Sequence, residues 1–158
     1  MDNDHDPSFT VSLEPPDTPE AMLLISELEA ELEPLYPSKS RHGLSVERLI
    51  AEQVAFFVLR ADGVPAACGG VKLVGMAYGE LKRMYVRPQY RRSGFATALL
   101  NHLTDFTRAH GVEVLRLETG IHQHSAIRLY EREGFHRIPP FASYEDDHLS
   151  VFFEKSLS

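Results

Sequence analysis

The turn Arg91-Arg92-Ser93-Gly94-Phe95-Ala96-Thr97 follows a strand-like run over 79–86 and precedes an amphipathic helical pattern. A turn that feeds a helix N-terminus aims several partnerless backbone N–H groups at one spot, and the helix dipole adds positive potential there. Such a spot binds anions, most often phosphate. Arg91 and Arg92 add side-chain charge, and Gly94 and Ala96 keep bulk away from a ligand that lies against the main chain. Positive charge at a helix start is unfavourable without an anion, which argues against a merely solvated charge cluster. Neither Gly-x-Gly-x-x-Gly nor the Gly-Lys-Ser/Thr ending of a P-loop occurs, so the phosphate is not expected to belong to a dinucleotide or a nucleoside triphosphate.

Other reactive side chains are scattered. Glu80 and Glu118 lie in strand-like runs, Tyr130 in a helical one, and Tyr36, Arg41 and His42 in a polar, proline-bounded stretch. His122 and His124, at i and i+2 with no cysteine or carboxylate close by in sequence, make a poor metal site, so no metal is expected. Cys68 is the only cysteine, reads as a small buried residue, and excludes an internal disulfide.

Hydrophobic periodicity supplies the elements that must position these groups. Strands are predicted over 9–13, 54–59, 65–74, 79–86, 112–119, 135–138 and 149–154. Asp62-Gly63 between two apolar runs marks a hairpin. A helix over 21–33, capped by Asp17 or Thr18, carries Leu24, Leu28 and Leu32 on one stripe, and Ser45 caps a short helix to about residue 52. A helix over 93–110 presents Phe95, Ala98, Leu99, Leu103 and Phe106, with Gly111 beyond its end. A last helix spans 123–132 and is closed by Gly134. Strand alternation groups Glu80 with Lys82, Met84 and Val86, opposite Leu81, Arg83 and Tyr85.

The chain has 158 residues, 43% of them hydrophobic, which suits one domain over 8–158 behind a frayed, acidic tail at 1–7. The tail is not a secretory signal, and no apolar run is long enough to span a bilayer, so a cytoplasmic protein with no membrane partner is expected. The net charge of −7 argues against nucleic acid as a partner.

Arg91-Arg92-Ser93-Gly94-Phe95-Ala96 resembles the Arg/Gln-x-x-Gly-x-Gly/Ala signature of the GNAT N-acetyltransferases. Gln123-His124-Ser125-Ala126-Ile127-Arg128-Leu129-Tyr130, with Gly134-Phe135 after it, is similar to that family's second block, with Gln123 where Asn is usual. Both blocks are in register with the intervening strand. The resemblance implies an α/β (α+β) fold, a mixed sheet of six to seven strands flanked by about four helices. It implies acetyl transfer from acetyl-CoA to a primary amine by direct attack, and homodimers are frequent in the family. It also implies that Arg91, Arg92, Ser93, Gly94, Phe95, Ala96, Thr97 and Gln123 hold the cofactor, with pantetheine lying as an added strand beside Met84, Tyr85 and Val86.

By the same resemblance a backbone N–H near Met84 polarises the thioester, Tyr130 protonates the leaving thiolate, and Glu80 is the base, with Glu118 in competition. Tyr36, His42 and Glu118 border the acceptor. The expected acceptor is a small molecule, and the acidic surface suits a cationic amine such as a polyamine or an amino sugar. Acetylation of a protein lysine or N-terminus, and a non-catalytic acyl-CoA-binding module, are the alternatives.

Overall fold

The computed structural model describes residues 8–158; the tail expected at 1–7 lies outside them. Strand β1 (Phe9–Leu13) leads to helix α1 (Pro19–Leu32), where Thr18 is the cap, its Oγ1 accepting from Ala21 N at 3.2 Å. A 3₁₀ turn (Ser38–Ser40) precedes helix α2 (Val46–Ala51), whose start is capped by Ser45. Strands β2 (Ala55–Ala61) and β3 (Val64–Val74) form the hairpin. Asp62 and Gly63 both have positive φ, 48° and 81°, the backbone that a two-residue turn matched to strand twist requires.

Strand β4 (Tyr78–Val86) runs through a 3₁₀ turn (Pro88–Tyr90) into helix α3 (Phe95–Ala109). Strand β5 (Val114–Gly120), helix α4 (His124–Arg132), strand β6 (His136–Ile138) and strand β7 (Ser150–Ser156) complete the order. The seven strands lie in one mixed sheet in the order β1-β2-β3-β4-β5-β7-β6, with β4 and β5 parallel. Seven strands and four helices match the expected class.

The larger core cluster joins Phe95, Leu99 and Leu103 of α3 to Val71, Leu81 and Leu115 of the sheet and to Leu129 and Tyr130 of α4. The second joins Leu24 and Leu28 of α1 and Leu49 of α2 to Phe56, Val58, Cys68 and Tyr85. Cys68 is fully buried, and burial pushes its thiol up to about 12, so it stays protonated. The buried stripe of α3 is wider than its leucine spacing suggests. It includes Leu100, Thr104 and Thr107, whereas Ala98 and Phe106 are only partly covered. The two threonine hydroxyls are satisfied by carbonyls one turn back, at Leu100 O and Leu103 O.

Simple alternation fails in β4. Gly70 pairs with Lys82 but Cys68 pairs with Tyr85, so Arg83 and Met84 together oppose Gly69. This is a β-bulge, with Arg83 at φ 56°. A Cβ on Gly69 would collide with Met84 Sδ. The extra residue slips the faces by one. Met84 and Val86 join Leu81 against the α3 core, while Arg83 and Tyr85 turn toward α1. The expected grouping of Met84 and Val86 with Glu80 and Lys82 is therefore corrected, because period-2 reasoning holds only along an unbulged strand.

Candidate functional site

The β4–β5 ladder contains two pairs, Gly79 with Leu115 and Glu80 with Arg116. Beyond them the strands diverge, and the edge of β4 from Leu81 onward has no ladder partner on that side. A groove of about 650 Å³ and a smaller cavity of about 120 Å³ flank this split. Met84, Gln123, Ala126 and Tyr130 border both, so the two spaces meet at the divergence.

The groove runs from Met84, Tyr85 and Val86 past Arg91, Arg92, Gly94, Phe95, Ala96 and Thr97 to the face of α4. One end of it is the start of α3. Gly94 is the N-cap at φ 79°, with no side-chain cap. The first intrahelical bond is Ala98 N to Gly94 O at 3.0 Å, which leaves the amides of the preceding turn without a helical acceptor. A Cβ on Gly94 would meet nothing within 4 Å, so the space above the amides is open. Arg92 also has positive φ, 65°, which splays the turn. The turn thus presents unbonded amides to open space beside the groove. Ser93 is exposed in the same turn but does not border the groove.

Arg91 is already engaged. Its Nε donates to Val86 O at 2.9 Å, and its Nη2 pairs with Glu31 of α1 at 2.9 Å. Tyr85 points its hydroxyl to Glu27 at 3.1 Å, and burial with that carboxylate pushes the phenol up to about 12. Tyr85 thus reaches the groove while anchored to α1.

The smaller cavity collects Tyr36, Ser40, Arg41, His42, Arg83, Glu118 and Tyr130 from four separated stretches of chain. Glu118 accepts from Ser150 Oγ at 2.8 Å. Burial raises its carboxyl to about 7, with Glu80 and Asp147 adding to the rise and Ser150 and Lys82 opposing it. Burial, and then the nearby Glu118, also raises the phenol of Tyr130, so it is protonated at neutral pH. The Tyr130 ring is held by Phe135, with centroids 5.4 Å apart.

Glu80 has a different environment. It is 5% exposed and borders neither space. Lys82 Nζ lies 2.8 Å from Glu80 Oε2, and Tyr144 donates its hydroxyl to the same oxygen at 2.6 Å. Lys82 Nζ also donates to Tyr144 Oη at 2.8 Å, closing a buried triangle.

Tyr36 acts as a clamp on the turn before α4. Its hydroxyl accepts from His122 N at 2.9 Å and donates to Gln123 Oε1 at 3.1 Å. A Cβ on Gly120 would collide with its ring, so glycine is required there. His42 packs edge-on against Tyr144 at 5.2 Å, and Ser40 donates to Asp147 at 2.5 Å. These two contacts join the loop after α1, which lines the cavity, to the loop before β7, which does not. Tyr144, Asp147 and Ser150 were missed by the sequence reading, since they sit in an aperiodic stretch or at a strand edge. Among the described residues no group of three or more His, Cys, Asp or Glu could hold a metal ion, and no helix is long and apolar enough to cross a membrane.

A family model for the acetyltransferase (GNAT) family matches residues 21–135. An IAA acetyltransferase of Azospirillum brasilense is 38% identical over 152 residues, covering 96% of this chain and 99% of that protein. A Klebsiella pneumoniae protein, provisionally named an acyl-CoA N-acyltransferase, superposes with a TM-score of 0.81 at 37% identity, over 95% of this chain and 98% of its own. The PaiA N-acetyltransferase of Thermoplasma acidophilum, solved with coenzyme A, shares the fold at a TM-score of 0.72 and 18% identity, over 94% of this chain and 99% of its own. The open amides at the start of α3, the divergent β4 and β5, and a match spanning both agree: the chain belongs to the GNAT family and is an acetyl-CoA-dependent N-acetyltransferase.

Proposed function

We propose that the protein acetylates a primary amine of a small molecule, with Glu118 taking the amine's proton and Tyr130 supplying one to the leaving sulfur. The observation that carries this reading is the position of both groups on a small cavity at the strand divergence, lined on one side by the loop after α1, which Ser40–Asp147 and His42–Tyr144 tie to the loop before β7. A cavity of about 120 Å³ is well below the ~300–1,000 Å³ of drug-sized sites. Acetylation of a protein tail calls for an open groove, which so small a space disfavours.

Acetyl-CoA, when bound, supplies the acetyl group as a thioester. The amides from Arg92 to Thr97 would hold its diphosphate, and the free edge of Met84, Tyr85 and Val86 would align its arm. The Met84 N–H would donate to the carbonyl oxygen, in the manner of an oxyanion hole. A carboxyl near 7 is half ionised at neutral pH, which suits Glu118 to accept a proton from the incoming ammonium, directly or through water. The freed amine would form the new C–N bond as the C–S bond breaks, and the second proton of its nitrogen would leave to solvent. Tyr130 would pass its proton to the sulfur and regain one from solvent.

Glu80, bound by Lys82 and Tyr144, supports the wall behind Glu118 in this reading. Free-thiol release from acetyl-CoA over a panel of amines, amino acids, peptides and IAA, the compound in the Azospirillum relative's name, tests it. Turnover of small amines alone is expected. Turnover restricted to peptides would overturn the acceptor class, and coenzyme binding without turnover would favour a non-catalytic module.

A further inference from the structure

Two guanidinium groups, Arg41 and Arg83, border the acceptor cavity and share one carboxylate. Arg83 Nη1 pairs with Glu29 Oε1, and Arg41 Nη1 reaches Glu29 Oε2 at 3.5 Å. Glu29 itself does not border the cavity, and Glu118 is the only carboxylate that does among the described residues. The Arg83 side chain is 4% exposed, and its Nε donates to Leu44 O at 3.0 Å. A Cβ on Gly43 would collide with its guanidinium, so the loop passes directly over the charge. Two further nitrogens here are buried without a hydrogen-bond partner, Arg41 Nε and His42 Nε2.

A buried donor left unmatched is costly, and a buried excess cation costs more. Around one small cavity, an unmatched N–H of Arg41, an unpartnered ring nitrogen of His42 and two guanidinium groups sharing one carboxylate sit together, while a proton acceptor is supplied by Glu118. A ligand complementary to both carries an anion as well as an amine. A carboxylate suits guanidinium groups, because its two oxygens accept paired N–H donors.

We infer that the acceptor is an amino carboxylate, an amino acid or a close analogue, whose carboxylate is seated by Arg41, His42 and Arg83 while its amine faces Glu118. The inference rests on the acceptor cavity assigned above. It departs from the cationic acceptor that the net charge of −7 suggested, because charge that lines the pocket acts at contact distance, whereas surface charge is screened over about 8 Å at physiological salt.

The test is thiol release by the wild-type protein at saturating acetyl-CoA, with acceptors in matched sets: an amino acid, its carboxamide and its decarboxylated amine. The carboxylate member of the preferred set is expected to have a kcat/KM about 30-fold or more above the other two. In Arg41→Gln this ratio should fall below about threefold, and Arg41→Lys should restore part of it. Arg41 is chosen over Arg83 because its side chain is partly exposed, at 24%. Calorimetry with coenzyme A confirms that each variant is folded. Calorimetric titration of the amino acid into the coenzyme A complex should show the same loss of affinity in Arg41→Gln without relying on turnover. Equal rates across a set, or a ratio unchanged in Arg41→Gln, would overturn the inference while leaving amine acetylation intact. Absence of turnover with every amine would overturn both.

Discussion

The groove proposed for the cofactor and the cavity proposed for the acceptor share a border at Met84 and Tyr130, yet they are built in opposite ways. The end of the groove proposed for the diphosphate is one continuous stretch, β4, a turn and the start of α3, and what it offers is backbone amides. The cavity draws single side chains from the loop after α1, from the β4 bulge, from β5 and from α4. A backbone site tolerates side-chain changes until one fills its space. A side-chain site fails at individual atoms.

Gly94→Trp should have the largest effect. It combines strain at φ 79° with an indole in the open space above the amides. Coenzyme A affinity in calorimetry is expected to fall by about 100-fold or more. Retained affinity would mean that the phosphates bind elsewhere.

Glu118→Gln probes the side-chain site. Removal of a base is expected to lower kcat/KM by about 100-fold or more. In the wild type the base must be ionised, so the rate should rise as pH climbs through about 7, and this limb should vanish in Glu118→Gln. The linked stability has the opposite sign. Burial favours the protonated carboxyl, so stability falls as pH rises from its ordinary value of 4.5 toward about 7, and Glu118→Gln should melt higher than the wild type at pH 8. If Glu80→Gln removes the limb and Glu118→Gln keeps it, the base assignment is reversed.

Tyr130→Phe comes next. A drop in kcat of about tenfold or more is expected, with coenzyme A affinity within about twofold of wild type. A wild-type rate would leave the ring as packing against Phe135. The smallest effects belong to the ion pair at the groove's rim. Arg91→Ala should weaken coenzyme A by about fivefold, and Glu31→Gln, which frees Arg91, should tighten it by about threefold. Tighter binding in Arg91→Ala would show that Arg91 serves α1 and not the phosphate.

How much could be read in advance follows the same division. The hairpin at Asp62-Gly63, the caps at Thr18 and Ser45, and the turn into α3 are local features, and local rules located them. Arg83 marks where those rules stop. Its positive φ inserts a bulge that moves Met84 and Val86 to the other face of β4, and no arginine announces such a backbone. The choice between Glu80 and Glu118 was equally hidden. Both are strand carboxylates, and only their neighbours separate them: Lys82 and Tyr144 bind one, while Ser150 and a cavity meet the other.

The sequence by itself determined the element order, the family and the turn that opens α3, because each depends on residues adjacent in the chain or at fixed helical and strand periods. The tertiary structure decided which carboxylate meets the cavity, which loop lines it, and that two arginines share one acid there. Those properties depend on distances between side chains far apart in sequence, and they arise only when the sheet diverges and the loop after α1 packs beside the split.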